Sequence, residues 1–274
     1  MKFPSDFAFS QNNLQDFVEC PRRFELRHLL RQPWPAIQSQ PVLELEKHLR
    51  RGEIFHQMVQ QHQIGLSVPQ ISTQAYDQTL LGWWEDYLGS QPQPLPEHRF
   101  IEHMLQTTHG GYRFIAKYDL IAIQPGEKMI IVDWKTSRRK PPRSVLSRRI
   151  QTRLYPFLLW KCSSAFDKNI SYSPEQIEMI YWFTADPLSP EHFQYSQKQA
   201  DLDGEYLLEL ARQVEHCTQT MFPLTSQEQP CSLCVYRSLC NRGVAAGNMD
   251  EEMDNEVDED NLDIDFNQIG ETEF

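Results

Sequence analysis

Asp133-Trp134-Lys135 closes a run of apolar and β-branched residues that reads as a strand. Side chains alternate faces along a strand, so the Asp133 carboxylate and the Lys135 ammonium share one face and Trp134 takes the other. Asp119 lies in the preceding strand-like run, across a turn signal at Pro125-Gly126. Pairing the two runs as a hairpin brings its carboxylate beside that of Asp133. Two carboxylates held together repel unless a cation stands between them. Oxygen ligands of this kind suit Mg²⁺ or Mn²⁺, which dehydrate reluctantly and accept phosphate and water in their remaining positions. The lysine can orient an attacking water and offset charge growing on a phosphate. A D-x-K on a strand is by itself more often an edge-strand charge pair, so its meaning rests on its neighbours.

One such neighbour is a basic stretch. Arg138, Arg139, Lys140, Arg143, Arg148, Arg149 and Arg153 occur with no acidic residue between 138 and 153. The stretch can hold phosphate, or it can be a solvated loop and helix face. A second neighbour is Cys231, Cys234 and Cys240, spaced C-x2-C-x5-C. In a cytoplasmic protein this spacing points to metal ligation before disulfides. A fourth ligand is needed, and Cys20 remains once Cys162 and Cys217, within predicted helices, are read as buried small apolar residues. Four thiolates suit either a tetrahedral zinc or a 4Fe-4S cluster.

The elements that carry these groups follow from periodicity. Ser10 reads as an N-cap, and Leu14, Phe17, Val18 and Phe24 recur at near-helical spacing interrupted by Pro21, which predicts a helical N-terminal arm. A second helix is expected from Leu43 to about Ile64 and a third over residues 74–88, followed by an extended connection from Gln91 to Pro96. Residues 100–106, 112–123 and 128–134 then read as an antiparallel meander of strands. Ile150, Leu154, Phe157 and Leu158 mark a following helix, Ile177 to Phe183 a return strand, and about Gln199 to Gln219 a last helix before the cysteines. The core is therefore mixed α and β.

A chain of 274 residues with 40% hydrophobic and 11% aromatic residues can bury a large core without disulfides. No apolar run approaches the length that spans a bilayer. The start, Met1-Lys2-Phe3-Pro4-Ser5-Asp6, lacks the pattern of an export signal, so a cytoplasmic location is expected. The net charge of −12 is uneven: twelve acidic residues and no Lys or Arg lie between Met249 and Phe274, which leaves 26 acids against 26 bases elsewhere. This divides the chain into a folded unit over 1–245 and an acidic tail over 246–274 with too little apolar content to fold.

Taken together, Asp119 followed by Asp133-Trp134-Lys135-Thr136-Ser137 resembles the PD-(D/E)xK nuclease motif in its RecB-like branch. Ser10 through Phe24, with Cys20-Pro21-Arg22-Arg23-Phe24, is similar to that branch's opening segment. Gly52-Glu53-Ile54-Phe55-His56 resembles its G-x3-H element, and Gln151 with Tyr155 its Q-x3-Y element. Ala116 stands where the family often has glycine. The resemblance implies an α/β fold: a restriction-endonuclease-like core with a mixed central sheet flanked by helices and a helical N-terminal arm. It implies catalytic roles for Asp119, Asp133 and Lys135, and metal ligation by His56 with Asp119 and Asp133. It also implies substrate contacts from Gln151 and Tyr155. Without the family, His56 would be an ordinary helix histidine and Gln151 and Tyr155 a polar helix face. Within it, Arg138, Arg139, Arg148 and Arg149 lie where a nuclease must hold the DNA backbone.

AddB-type and CRISPR-associated RecB-like nucleases carry one cysteine before the core and three after it, holding a 4Fe-4S cluster. Cys20, Cys231, Cys234 and Cys240 fit that pattern, with zinc as the alternative. The expected activity is a Mg²⁺- or Mn²⁺-dependent deoxyribonuclease, an exonuclease or a flap or single-strand nuclease, in DNA repair and recombination or CRISPR adaptation. Expected partners are DNA, single-stranded or at ends, and a helicase, repair or CRISPR protein, because the chain lacks a GxxxxGK[ST] loop of its own. Two rivals remain: a non-catalytic DNA-binding or assembly subunit with the same fold and cluster, and a zinc-bound interaction protein. The acidic tail can solubilise, dock on a basic partner, or compete with DNA for the arginines.

Overall fold

The computed structural model describes residues 7–32, 40–92, 94–232, 234 and 236–243. A short strand, β1 (Ala8–Phe9), precedes α1 (Gln11–Glu19). Ser10 caps α1 in a reciprocal box: its hydroxyl accepts the Asn13 N–H, and its own N–H donates to Asn13 Oδ1 at 3.0 Å. Cys20 leaves helical geometry, and Pro21 opens α2 (Pro21–Phe24), at the first position of a helix where its missing N–H costs nothing. A π-helical turn, Glu25–Leu29, ends the arm. Next come α3 (Gln40–Gln63), α4 (Val68–Ser72) and α5 (Gln78–Ser90), the last capped by Asp77. Strands β2 (His98–His109), β3 (Tyr112–Gln124) and β4 (Lys128–Lys135) form the expected meander. After α6 (Arg143–Leu146) and α7 (Ile150–Lys161) come β5 (Ile177–Phe183), β6 (Glu191–Gln194), α8 (Gln197–Gln219), α9 (Gln229–Ser232) and α10 (Arg237–Cys240).

The sheet is mixed and runs β1-β3-β4-β5-β6, with β2 also paired to β3. β2, β3 and β4 are antiparallel neighbours, whereas β5 lies parallel to β4. A parallel neighbour requires a crossover, and α7 supplies it on one face. On that face α1, α7 and α8 bury Phe114, Ile121, Ile131 and Tyr181. On the other face α3 and α5 bury Leu120, Val132, Trp134 and Trp182 beneath Phe55, Trp84 and Tyr87. A sheet covered on both faces explains why β4 is buried almost throughout. This is the restriction-endonuclease-like architecture expected from the sequence.

Alternation along β3 slips at one residue. Phe114, Ala116 and Tyr118 face the α7 side, and so do Ile121 and Ile123, while Leu120 and Ala122 face α3. The phase changes at Asp119. Its register partner on β2, Glu102, drops out of the ladder with it and takes a left-handed φ of 52°. Because each strand gives up one residue, the pairing register is the same on both sides of the break. β4 pairs with β3 only from Leu120↔Val132 to Gln124↔Lys128, and β1 joins the same edge of β3 at Arg113 and Phe114. The sheet is therefore forked beside Asp119.

Several details depart from the sequence reading. The third helix starts at Gln78 rather than 74, because Asp77 accepts the Leu80 N–H at 2.9 Å and fixes the boundary. β1, β6, α4 and α6 were not expected; each has five or fewer residues, too short to show a period. The acidic tail lies outside the described residues, as do residues 1–6 and the side chains of Leu43 and Leu45. No described helix is long and apolar enough to cross a membrane.

Candidate active site

Asp133, Trp134 and Lys135 end β4 and are 4%, 2% and 6% exposed. Parallel pairing with Tyr181, Trp182 and Phe183 of β5 holds this segment extended. Trp134 packs among the aromatics under α3 and α5, while Asp133 and Lys135 project toward α7, as alternation requires. There Lys135 Nζ stands 2.9 Å from Asp133 Oδ2, and Gln151 Nε2 of α7 donates to Asp133 Oδ1 at 2.6 Å. Asp119 reaches the same place from the fork: its Oδ2 accepts the Trp134 N–H at 3.0 Å. Asp119 is thus tied to the backbone at the end of β4, beside a break in the strand pairing rather than through a regular hairpin pair.

His56 joins from the opposite layer, its Nδ1 3.5 Å from Asp119 Oδ2. The preceding turn of α3 explains how it gets so close. A Cβ at Gly52 would stand 2.9 Å from Thr136 Oγ1, so glycine lets the helix backbone rest on the residue that follows β4. One turn earlier, His48 Nε2 lies 3.0 Å from the Thr136 carbonyl oxygen. Gly52 and His48 thus seat α3 on the end of β4 and aim His56 into the fork.

The charges in this cluster are mutually adjusted. Burial disfavours the His56 imidazolium, but the charge and hydrogen bond of Asp119, with the charge of Asp133 beyond it, outweigh that and raise its pKa to about 9. Asp119 is lowered: burial opposes its ionisation, and His56, the Trp134 N–H and Lys135 overcome burial. Burial, then the Asp133 charge, push the Tyr181 hydroxyl well above its ordinary range. Asp119 and His56 are partly exposed whereas Asp133 and Lys135 are buried, so the cluster opens to solvent on its Asp119 side.

The remaining sequence candidates fall into distinct groups. Gln151 and Tyr155 are both buried, at 2% and 7% exposure. Gln151 is given to Asp133, and Tyr155 packs on Tyr118 with ring centroids 4.8 Å apart. The basic stretch divides. Lys140 Nζ meets Glu191 at 3.0 Å and Asp186 at 3.2 Å, Arg143 Nη1 meets Glu191 at 2.9 Å, and Arg153 Nη1 lies 3.6 Å from Asp203. The sequence left open whether the whole stretch holds phosphate or is a solvated face; these three are occupied by acids on β6, α8 and the loop between β5 and β6. Arg138, Arg139 and Arg148 are exposed and Arg149 partly so.

Cys20, Cys231, Cys234 and Cys240 line one small cavity together with Arg23, Tyr236, Arg237 and Arg242. Cys162 and Cys217 are elsewhere, partly exposed rather than buried as expected. Burial raises the Cys234 and Cys240 thiols, and the nearby sulfurs add to this. The arm that carries Cys20 is fastened by Asp16, a residue absent from the sequence reading. Asp16 is fully buried, with its carboxylate 2.7 Å from Arg23 Nε, 3.1 Å from Arg27 Nη1 and 2.8 Å from His28 Nε2. Burial opposes its charge, yet Arg23, His28 and Arg27 hold it far below the usual carboxylate range. The Arg22 N–H donates to the Pro223 carbonyl at 3.2 Å, tying the arm to the segment that leads to the other three cysteines. Among the described residues, no group of three or more His, Cys, Asp or Glu side chains is arranged as a metal site as it stands.

Sequence comparison matches residues 8–241 to the family described as the PD-(D/E)XK nuclease superfamily. No curated protein sequence matches the chain. Similar solved structures include a crystal structure of a candidate exonuclease from Eubacterium rectale, at 10% identity and a TM-score of 0.49, covering 90% of this chain and 96% of that one. Another is the crystal structure of SSO0001, at 16% identity and a TM-score of 0.43, covering 88% of each chain.

Proposed function

Because this chain belongs to the PD-(D/E)XK nuclease superfamily, we propose that it is a metal-dependent deoxyribonuclease of the RecB-like branch, acting on single strands, flaps or ends. Residues 1–245 form the nuclease unit and 246–274 its acidic tail. The observation that carries this reading is the convergence of His56, Asp119, Asp133 and Lys135 from α3, β3 and β4 at one fork in the sheet. A scaffold protein has no need to gather two carboxylates, an imidazole and an ammonium at the end of a buried strand, where desolvation makes each charge costly.

In this reading Asp119, Asp133 and His56 would hold Mg²⁺ or Mn²⁺. The donor set is right for these ions in being mainly carboxylate oxygen. When bound, the ion supplies Lewis acidity toward a phosphodiester oxygen. The protein's part is positional. Lys135 would orient the attacking water and balance charge gathering on the phosphate. Gln151 keeps Asp133 in one orientation, and Arg138, Arg139, Arg148 and Arg149 hold the DNA backbone on the solvent side, with Tyr155 beside Gln151 on α7 as a further candidate substrate contact.

Cys20, Cys231, Cys234 and Cys240 hold a 4Fe-4S cluster that cross-links the N-terminal arm to the C-terminal segment. Support comes from the four thiols sharing one cavity while the other two cysteines stand apart. Anaerobically purified protein is then brown and contains iron and sulfide; a colourless protein with stoichiometric zinc replaces the cluster by a zinc centre. The decisive assay for the whole reading compares wild type with Asp133→Ala on single-stranded, duplex and flapped DNA in Mn²⁺. Wild type cleaves at least one of them and the variant is slower on the order of 100- to 1,000-fold. DNA binding by wild type without cleavage of any would leave a scaffold subunit instead.

A further inference from the structure

The cysteine cavity is lined by arginines as well as by thiols. Arg23 is turned to Asp16 and Glu19. Arg242 is turned to the sulfurs: its Nη1 lies 3.3 Å from Cys231 Sγ and donates to the Thr225 carbonyl at 2.7 Å. The backbone holds it there. Asn241, which ends α10, has a φ of 48° and Gly243 a φ of 72°, so left-handed residues on both sides fold Arg242 back over the 225–231 segment.

Four thiolates around a doubly charged core leave a net negative centre, whether that core is iron-sulfur or zinc. A negative centre in a largely buried cavity is penalised by desolvation unless a cation or donor faces it. We propose that Arg242 is a positioning residue of this metal centre, which donates an N–H to the Cys231 thiolate and supplies compensating positive charge. The proposal rests on the cysteine centre described above. The guanidinium is suited to the task because it cannot lose its proton and can bond a carbonyl and a sulfur from one rigid plane. Donors to the sulfurs and added positive charge both favour the reduced state of an iron-sulfur cluster, so they raise its potential.

The test uses the metal-loaded full chain as wild type, Arg242→Gln and Arg242→Lys, prepared without oxygen. Metal loss to an excess of chelator is followed by bleaching for iron or by a colorimetric indicator for zinc. Where iron is present, the midpoint potential is read from visible absorbance. Arg242→Gln loses metal about 10- to 100-fold faster than wild type, the usual cost of deleting an outer partner of a metal ligand, and its midpoint is lower. Arg242→Lys, which keeps the charge, falls between them and serves if Arg242→Gln does not accumulate as folded protein. A metal-loaded wild type whose release rate and midpoint are unchanged in Arg242→Gln overturns the role of Arg242 alone. Wild type without iron, sulfide or zinc overturns the centre itself, and this proposal with it.

Discussion

Asp133 is held from two sides, by Gln151 Nε2 at 2.6 Å on one oxygen and Lys135 Nζ at 2.9 Å on the other. If Gln151 works by orienting Asp133 rather than by touching DNA, Gln151→Ala lowers kcat about 10- to 100-fold with KM little changed. A rise in KM at constant kcat would instead make Gln151 a substrate contact. A second buried acid behaves differently. Asp203 of α8 is fully buried and accepts from Gln199 at 2.8 Å, and burial, only partly offset by Gln199 and Arg153, raises its pKa to about 6. Its folded state thus binds a proton more tightly than its unfolded state. Stability from this group is greatest below about pH 4 and falls as pH rises through about 6. Asp203→Asn should therefore melt higher than wild type at pH 7.5, by on the order of 1–3 kcal/mol, with the gap closing toward pH 4. Equal melting at pH 7.5 would mean that Arg153 compensates the charge fully.

Two elements position the site, and each does so through a local irregularity. The paired break at Glu102 and Asp119 frees one residue of β3 from its ladder, so an acid on a central strand can face both the α7 and the α3 layers. Helix α3 comes close because of Gly52. In an ordinary helix interior Gly→Ala is stabilising by roughly 1 kcal/mol. Here the new methyl meets Thr136 Oγ1 at 2.9 Å, so the helix or the threonine must shift. Gly52→Ala should keep near-wild-type stability yet lose activity about 10- to 100-fold, because a small displacement of His56 from Asp119 spoils the geometry. Pairing it with Thr136→Ser, which keeps the hydroxyl, should not restore activity, while Thr136→Ala should restore part of it. A lone Gly52→Ala variant with full activity would show that the contact is easily absorbed.

At the scale of the molecule, charge is segregated by sequence position. Residues 249–274 carry twelve acids and no Lys or Arg, while Arg138 and Arg148, on either side of α6, stand exposed. If the tail competes with DNA for these arginines, deleting residues after 248 raises DNA affinity, most at low salt, with the gain shrinking as screening shortens the reach of the tail's charge. Fluorescence anisotropy with a short single strand at two ionic strengths decides it, and equal affinity for the two lengths of chain at low salt removes the competition. The Asp16 cluster has a comparable reach: one acid holds Arg23, Arg27 and His28 and so fixes the arm from which Cys20 faces residues more than two hundred positions away.

What the sequence determined alone was whatever depends on a few adjacent residues. Strand alternation put Asp133 and Lys135 on one face, Ser10 and Pro21 set the starts of two helices, and the spacing of residues 150–158 marked α7. Tertiary structure decided the rest. The slip at Asp119 lies between the stretches of β3 that pair with β1 and with β4, and the pairing of Lys140 and Arg143 with Glu191 depends on where β6 lies beside β5. Such contacts join residues tens of positions apart, and no local period encodes which acid will neutralise which base. Burial then sets the pKa values, because desolvation and charge pairing act through the surrounding fold rather than through the residue's neighbours in the chain.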